Sequence, residues 1–252
     1  MQKIVGSIRF MLAIIYAVAC ILMVLLYMQW LKPENKVGVL RAWSLAFLKI
    51  VGIRLKLEGT VYDKHCLLIA NHISFIDIFG LDAIKPGRFI AKSEIADWPI
   101  FGRIAKGVDT LFIKRKSRRS ILEVNEQISE ALSKKQTIML FPEGRTSVGM
   151  TLLPLRSNLI EPAVMSGTPI QPFVLIYREN GMPTTKVAYT DISLFGCLWN
   201  IVTTKGLTLT IKALPLIDPS DKDRRQVAAE ASAMMSEAMG VVDPQKAMNL
   251  LR

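Results

Sequence analysis

The strongest constraint on this chain is an uncharged stretch near its N-terminus, residues 10–28. As an α-helix these residues would be about 28 Å long, close to the thickness of the hydrocarbon layer of a bilayer. A cleaved signal peptide is the alternative, because Lys3 and Arg9 precede the run and residues 17–19 resemble a cleavage site. The apolar run continues past that site, which favours a retained membrane anchor over residues 1–38.

The charge of the chain indicates how such an anchor is oriented. Six basic residues follow the apolar run: Lys32, Lys36, Arg41, Lys49, Arg54 and Lys56. Under the positive-inside rule they place the main domain, residues 39–252, on the cytoplasmic face of the membrane. Two questions stay open: whether residues 10–28 cross the bilayer or bend back, and whether residues 39–53 lie on the bilayer or pack in the core.

The net charge of +11 indicates an anionic partner: lipid headgroups, nucleic acid or a phosphorylated substrate. Nucleic acid is disfavoured, because no recognised motif is present and the basic run lacks interleaved aromatic residues. The three cysteines are far apart and the chain has two histidines, so we expect neither a disulfide framework nor a metal site. Such cysteine usage fits a reducing compartment.

Beyond residue 57 the sequence alternates short apolar runs with longer amphipathic ones. The runs that read as strands are residues 66–70, 88–91, 137–141, 170–177 and 207–214. The segments with helical periodicity are residues 120–135 and 221–239. The alternation predicts an α/β fold with a layered sheet and flanking helices.

The first polar cluster, "NHISFID", follows the apolar run 66–70. Asn71 and His72 would then lie in the turn at the carboxyl end of a buried strand, where α/β sheets bind ligands. A neutral imidazole there can act as a general base if a carboxylate orients it, and Asp77 is the candidate. The alternatives are a polar turn residue for His72 and a helix cap for Asp77.

The second cluster follows the apolar run "TLFI", which ends in Lys114, Arg115 and Lys116. Arginine presents a planar fork of donors that suits a phosphate. We therefore expect Arg115 to face inward and its neighbours to face anionic lipid. The alternative is an ordinary solvated basic stretch.

The third cluster is "FPEGRTS", residues 141–147. Gly144 permits a tight turn with free backbone N–H groups. Glu143 could brace an arginine or bind a substrate hydroxyl, and Arg145 could pair with a phosphate. A plain turn with a surface ion pair is the alternative.

Taken together, the three clusters resemble the lysophospholipid and glycerolipid acyltransferase family, typified by 1-acylglycerol-3-phosphate acyltransferases. The family block N-H-x-x-x-x-D is matched fully by Asn71, His72 and Asp77. Its G-x-x-F-I-x-R block is matched through Arg115, with different glycine spacing. Its F-P-E-G-T-R-S block is matched except that residues 145–146 read Arg-Thr, in transposed order.

The resemblance runs from about residue 39 to 239 and makes residues 39–252 an acyltransferase domain. It implies that His72, steadied by Asp77, deprotonates the hydroxyl of a lysolipid, most simply 1-acylglycerol-3-phosphate. The acyl donor would be acyl-CoA or acyl carrier protein, with no metal and no resident cofactor. It also implies that the residues binding the acceptor are Asn71, Arg115, Glu143, Gly144 and Arg145.

Two alternatives remain at this point. Some members of the resembled family acylate lyso-ornithine lipid, which has no phosphate, and they depart from the pattern in the same block as Arg145-Thr146. Arg156 is a spare cation that could substitute for the displaced arginine of the third block. A different class of protein, a non-catalytic one that binds anionic lipid through its basic face, would explain the charge and the anchor but leave His72 without a role.

Overall fold

The centre of the molecule is one β-sheet. The computed structural model describes residues 2–31, 33–99, 101–114 and 118–245. The strands are β1 (Arg54–Glu58), β2 (Leu67–Ala70), β3 (Arg88–Lys92), β4 (Leu111–Ile113), β5 (Ile138–Leu140), β6 (Ile170–Glu179), β7 (Met182–Pro183) and β8 (Leu207–Ala213). Their spatial order is β1-β8-β6-β2-β5-β3-β4, and β7 pairs with β6.

Five neighbouring strands of the sheet, β6, β2, β5, β3 and β4, run parallel. β8 is antiparallel to β6, and β1 runs parallel to β8. Every residue of β2 is buried, as expected for a central parallel strand covered on both faces. The predicted α/β layered sheet is confirmed, and the five predicted strands form within two residues of their predicted ends.

Helices cover both faces of the sheet. They are α1 (Gln2–Leu26), α2 (Pro33–Val51), α3 (Ile76–Ile84), α4 (Phe101–Gly107), α5 (Arg118–Ser133), α6 (Glu161–Met165), α7 (Leu194–Thr203) and α8 (Arg224–Met239). Leu68 and Ala70 point into the layer that holds α2, α3 and α7. Leu67 and Ile69 point into the layer that holds α5, α6 and α8. The strand thus divides its side chains between two cores with a period of two.

The apolar helix α1 packs on the domain along its length. Near its start, Gly6 lies so close to Thr203 that a Cβ on the glycine would meet the Thr203 side chain. Near its end, Val24 fills the space beside Gly107. The opposite side exposes apolar residues, among them Ile4, Ile8, Met11, Ile15, Leu22 and Leu26. By length and composition α1 could cross a membrane.

The helix α2 answers one of the open questions. Its side chains Phe47, Leu48 and Val51 are buried in the core. Arg41 donates to the carbonyl oxygens of Ala83 (3.0 Å) and Ile84 (2.7 Å), so its cation caps the end of α3. Residues 39–53 therefore pack as a core helix on this side.

The predicted boundary between residues 38 and 39 falls inside the continuous helix α2, so the structure has no break there. Other elements were not predicted. They are the two outlying strands β1 and β7 and the helices α4, α6 and α7. β1 mixes charged and apolar residues without a buried face, and α6 is too short at five residues for helical periodicity to register.

Candidate active site

His72 lies in the loop between β2 and α3, at the carboxyl end of the central strand. The turn after the neighbouring strand β5 holds its backbone from both sides. The His72 N–H donates to Oε1 of Glu143 at 2.8 Å, and the His72 C=O accepts from the N–H of Ser147 at 2.8 Å. Since β2 and β5 are hydrogen-bonded neighbours, the sheet itself brings the first and third clusters together.

The His72 ring is oriented by a carboxylate. Nδ1 of His72 lies 2.8 Å from Oδ2 of Asp77. That oxygen also accepts the backbone N–H groups of Ile73 (2.6 Å) and Ser74 (2.9 Å), so it acts as an acceptor toward the ring as well. Nδ1 then carries the proton and Nε2 keeps a free lone pair, which is the tautomer that a general base requires.

The second oxygen of Asp77 has its own partner. The hydroxyl of Tyr177, on β6, donates to Oδ1 of Asp77 at 2.7 Å. The Asp77 side chain is fully buried, and Tyr177 is 3% exposed. Four donors surround a carboxylate that has no contact with water, which fixes its orientation and stabilises its negative charge.

Phe141 holds the face of the ring. The two ring centroids are 3.9 Å apart and the planes meet at 11°. The His72 side chain remains 20% exposed, and its ring lines an open cavity. Neighbouring groups thus fix the ring plane, the Nδ1 atom and the backbone of His72. The remaining edge of the ring faces the cavity.

The buried carboxyl group of Glu143 supports the site by accepting backbone N–H groups. Besides the His72 N–H, it accepts the N–H of Leu153 at 3.2 Å through Oε2, and it is 3% exposed. Burial raises the pKa of Glu143 to about 8, although the two N–H groups act in the opposite direction. Neither of the roles considered from the sequence, bracing an arginine or binding a substrate hydroxyl, matches these contacts.

Asn71 requires a correction, because its side chain does not reach the cavity. Oδ1 accepts the N–H of Leu175 at 2.7 Å, Nδ2 donates to the C=O of the same residue at 3.0 Å, and Asn71 is 1% exposed. Its amide therefore extends the pairing of β2 with β6 by one residue. It positions the loop instead of binding a substrate.

The cavity beside His72 has a volume of about 500 Å³. Its polar lining includes the basic groups His72, Lys92, Arg145 and Arg156, one acidic residue, Glu94, and the uncharged residues Thr146, Asn158 and Tyr189. The rest of the wall is largely apolar and includes Ile78, Phe89, Ile95, Trp98, Ile113 and Ile121. Such a lining suits an amphipathic molecule with an anionic group at one end and hydrocarbon at the other.

Two arginines flank the turn at Gly144. This residue has a φ of 74°, in the left-handed region, and a Cβ on it would lie 3.3 Å from Nε of Arg156. Arg145 and Arg156 are both exposed. Among the residues that the structure describes, neither guanidinium forms a hydrogen bond or an ion pair. Both are available to an anion in the cavity.

Arg115, the remaining predicted binding residue, lies outside the described residues. Within the described ranges, no three His, Cys, Asp or Glu side chains lie together as metal ligands.

Two residues of the site were missed from the sequence. Tyr177 ends the predicted strand 170–177 and is 100 residues from Asp77, so only the pairing of β6 with β2 brings them together. The sequence did mark Phe141, because this residue begins the third cluster. An aromatic residue at the end of a strand, however, does not indicate which ring it stacks on.

Comparisons with known proteins identify the family of the chain. The profile of the acyltransferase family matches residues 52–176, which contain the His72 loop, the third cluster and most of β6. The 1-acyl-sn-glycerol-3-phosphate acyltransferase of Neisseria gonorrhoeae is 36% identical over 196 residues, which is 77% of this chain and 76% of that protein.

The chain belongs to the acyltransferase family. It is an O-acyltransferase. A lyso-ornithine lipid O-acyltransferase of Pseudomonas aeruginosa is also similar, 29% identical over 79% of this chain and 77% of that protein.

The fold of the acyltransferase matches a solved structure. The crystal structure of the 1-acyl-sn-glycerophosphate acyltransferase of Thermotoga maritima has a TM-score of 0.72 against it and covers 95% of this chain. The match covers 97% of the Thermotoga chain at 18% sequence identity. The arrangement of sheet and helices is therefore shared.

Proposed function

We propose that the acyltransferase moves a fatty acyl group from a thioester, either acyl-CoA or acyl carrier protein, to the free hydroxyl of 1-acylglycerol-3-phosphate, giving phosphatidic acid. The observation that carries the proposal is the 2.8 Å contact between His72 Nδ1 and Asp77 at the edge of a cavity that also holds two free guanidinium groups. The relatives named above act on lysolipids by their names, which supports this substrate class.

The mechanism assigns each polar group a step. Nε2 of His72 takes the proton of the acceptor hydroxyl as its oxygen attacks the thioester carbonyl. Asp77 stabilises the imidazolium that forms, and Tyr177 keeps the carboxylate in place. The tetrahedral intermediate then expels the thiolate, which takes up the proton from His72. No covalent acyl-enzyme is needed.

Arg145 and Arg156 support a phosphate on the acceptor. An acceptor bound between them would place its hydroxyl toward the His72 ring, since all three side chains line one cavity. The transposition that moves Arg145 one position forward leaves it in the cavity, and Arg156 adds a second cation beside Gly144. A paired anion here would form charge-assisted hydrogen bonds.

Lyso-ornithine lipid is the second candidate acceptor, because several relatives similar over most of this chain bear that name. It lacks the phosphate that two free arginines would bind, so we rank it second.

We also propose how the enzyme is held at the membrane. The helix α1 anchors it, and the catalytic domain with the basic residues that follow α1 lies at the cytoplasmic face, in contact with anionic lipid.

The base is tested by His72→Ala in detergent with lysophosphatidic acid and acyl-CoA. Loss of a general base lowers the rate by about 10²–10⁴-fold. The matched control is His65→Ala, because His65 precedes β2 at the opposite end of the same strand. Full activity in the His72 variant would exclude the mechanism.

The acceptor is tested with Arg145→Ala and Arg156→Ala, each assayed on lysophosphatidic acid and on lyso-ornithine lipid. A phosphate role predicts losses of about 10- to 100-fold on lysophosphatidic acid, as expected for a charge-assisted hydrogen bond of about 1.5–3 kcal/mol. Activity on lyso-ornithine lipid should change little. Arg54→Ala, on the edge strand β1, is the control. Equal losses on both acceptors would contradict the phosphate role.

A further inference from the structure

The helix α7 leaves an aromatic side uncovered. Leu194–Thr203 contains no charged residue. One side packs into the core through Cys197, Leu198, Ile201 and Val202. The other side exposes Phe195 at 58% and Trp199 at 38%. Neither aromatic residue has a role in the site described above.

This side of α7 lies next to α1. Nε2 of Gln2 donates to the C=O of Thr203 at 3.1 Å. The rings of Phe10 and Trp199 meet edge to face, with centroids 5.7 Å apart and planes at 72°. We call the combined surface the α1–α7 surface and define it by Ile4, Ile8, Met11, Phe195 and Trp199. Its apolar residues are grouped, whereas the apolar residues on the surface of a soluble protein are usually scattered singly.

Two cations lie at the edge of the α1–α7 surface. Lys3 is the neighbour of Gln2, and Lys205 comes two residues after Thr203; both side chains are exposed. The hydrogen bond between Gln2 and Thr203 therefore brings two positive charges to one end of an apolar face. Apolar side chains bordered by lysines suit a bilayer that carries anionic headgroups.

We propose that α7 docks with α1 into the surface of an anionic bilayer, placing Phe195 and Trp199 at the boundary between headgroups and acyl chains. Tryptophan favours this depth because its ring is apolar and its N–H is polar. The proposal deepens the lipid substrate proposed above and rests on it.

Docking through α7 would bring the base close to the lipid. Sγ of Cys197, on the buried side of α7, lies 3.8 Å from Oγ of Ser74. The Ser74 N–H is one of the donors to Asp77. The loop that carries the catalytic groups thus packs directly against the buried side of the docking helix.

The test places a probe on α7 in the full chain. Phe195→Cys is labelled with an environment-sensitive fluorophore and reconstituted in phosphatidylcholine–phosphatidylglycerol vesicles. Met165→Cys is the matched control, because Met165 is 78% exposed on α6, in the opposite layer. Brominated lipids should quench the probe at 195 and leave the probe at 165 unchanged, and aqueous iodide should do the reverse.

Two results would overturn the proposal. Equal quenching of both probes by iodide, with none by brominated lipid, would place α7 in water. Protection from iodide without quenching by brominated lipid, increasing with protein concentration, would assign the α1–α7 surface to a second copy of the chain. Neither measurement requires acyl transfer, so docking can fail while the enzymatic proposal stands.

An unlabelled variant checks that the probe itself does not drive insertion. Phe195→Glu places a charge at the proposed boundary, so activity on vesicle-borne lysolipid should fall relative to activity in detergent micelles. Met165→Glu should keep the ratio of the two activities unchanged. An unchanged ratio in the Phe195 variant would contradict docking through α7.

Discussion

Two ends of one cavity differ in how firmly the protein holds their polar groups. At the base end, defined by His72, Asp77, Tyr177 and Glu143, the ring, the carboxylates and the backbone are all engaged by neighbouring groups. At the arginine end, defined by Arg145 and Arg156, the side chains are exposed, and within the described ranges they have no hydrogen-bond partner.

The difference matches the two tasks proposed for these ends. Proton transfer requires the base and the hydroxyl within hydrogen-bond distance, so the base end benefits from a geometry fixed before the substrate arrives. Binding a headgroup needs cations that still have free donors and can follow the shape of the ligand. We therefore expect changes at the base end to affect every acceptor, and changes at the arginine end to affect phosphate acceptors alone.

The largest expected effect is at the base end, from Asp77→Asn. The amide can no longer accept from all four donors or stabilise an imidazolium, so activity should fall by about 10²–10⁴-fold on both candidate acceptors. The measurement is kcat/KM in detergent. The control is Asp82→Asn. Asp82 is also buried on α3, but its one partner among the described residues is the Gly87 N–H, and it lies outside the cavity lining.

Gly144→Ala tests the arginine end without removing a charge. A side chain at φ 74° costs about 1–2 kcal/mol, and the added Cβ presses on the Arg156 guanidinium. The backbone cost lowers stability, whereas the displaced guanidinium weakens the contact with the phosphate. We therefore expect kcat/KM for lysophosphatidic acid to fall by roughly tenfold, which corresponds to about 1.4 kcal/mol, mainly through KM. A comparable loss with lyso-ornithine lipid would show that the two ends are not independent.

A smaller effect is expected from Tyr177→Phe, which removes one donor to Asp77 and keeps the ring. The loss of one hydrogen bond of about 0.5–1.5 kcal/mol corresponds to a fall of about 2- to 10-fold in kcat. If Tyr177 positions the carboxylate, the pH dependence of kcat should shift while KM stays constant. A lower melting temperature with an unchanged pH profile would indicate a purely structural role.

The last expected effect concerns stability and not activity. The pKa of Glu143 rises from 4.5 to about 8 on burial. Between these pH values the folded state keeps a proton that the unfolded chain releases, so stability falls as pH rises, by at most about 1.4 kcal/mol per pH unit. In Glu143→Gln this contribution is absent, and the stability advantage of the wild type should shrink between pH 5 and 8.

Urea unfolding at several pH values in one detergent measures this difference. Burial raises the pKa of Asp82 to about 8 as well, and both proteins share that contribution, so it cancels in the comparison. Parallel stability curves for the wild type and the Gln variant would mean that Glu143 is ionised throughout.

Much of the fold follows from local sequence. Leu67–Ala70 is an unbroken apolar run, as a strand covered on both faces requires, and β8 alternates apolar residues with threonine and lysine, the period of two that marks a strand. The edge strand β1 and the short helix α6 were not predicted. The predicted helix 221–239 is followed directly by Gly240, which adopts φ 70° and ends α8, as a glycine after a helix commonly does.

For the site, the sequence placed His72 and Asp77 five residues apart on a loop and a helix, and local geometry was enough to pair them. It placed Glu143 and Asn71 near the site but with the wrong partners. Both side chains bond backbone groups that are distant in the chain, at Leu153 and Leu175. Backbone groups are chemically alike at every residue, so no sequence signal identifies such partners.

The sequence by itself determined which groups could do chemistry: an imidazole, a carboxylate five residues away and an arginine on a glycine turn. Tertiary structure alone decided that Tyr177 reaches Asp77, that Arg156 stands beside Gly144, and that α7, which exposes Phe195 and Trp199, lies next to α1. Contacts between residues that are close in the chain follow directly from the order of the residues. Contacts across a sheet depend on strand order and register, which are set by the packing of the whole core.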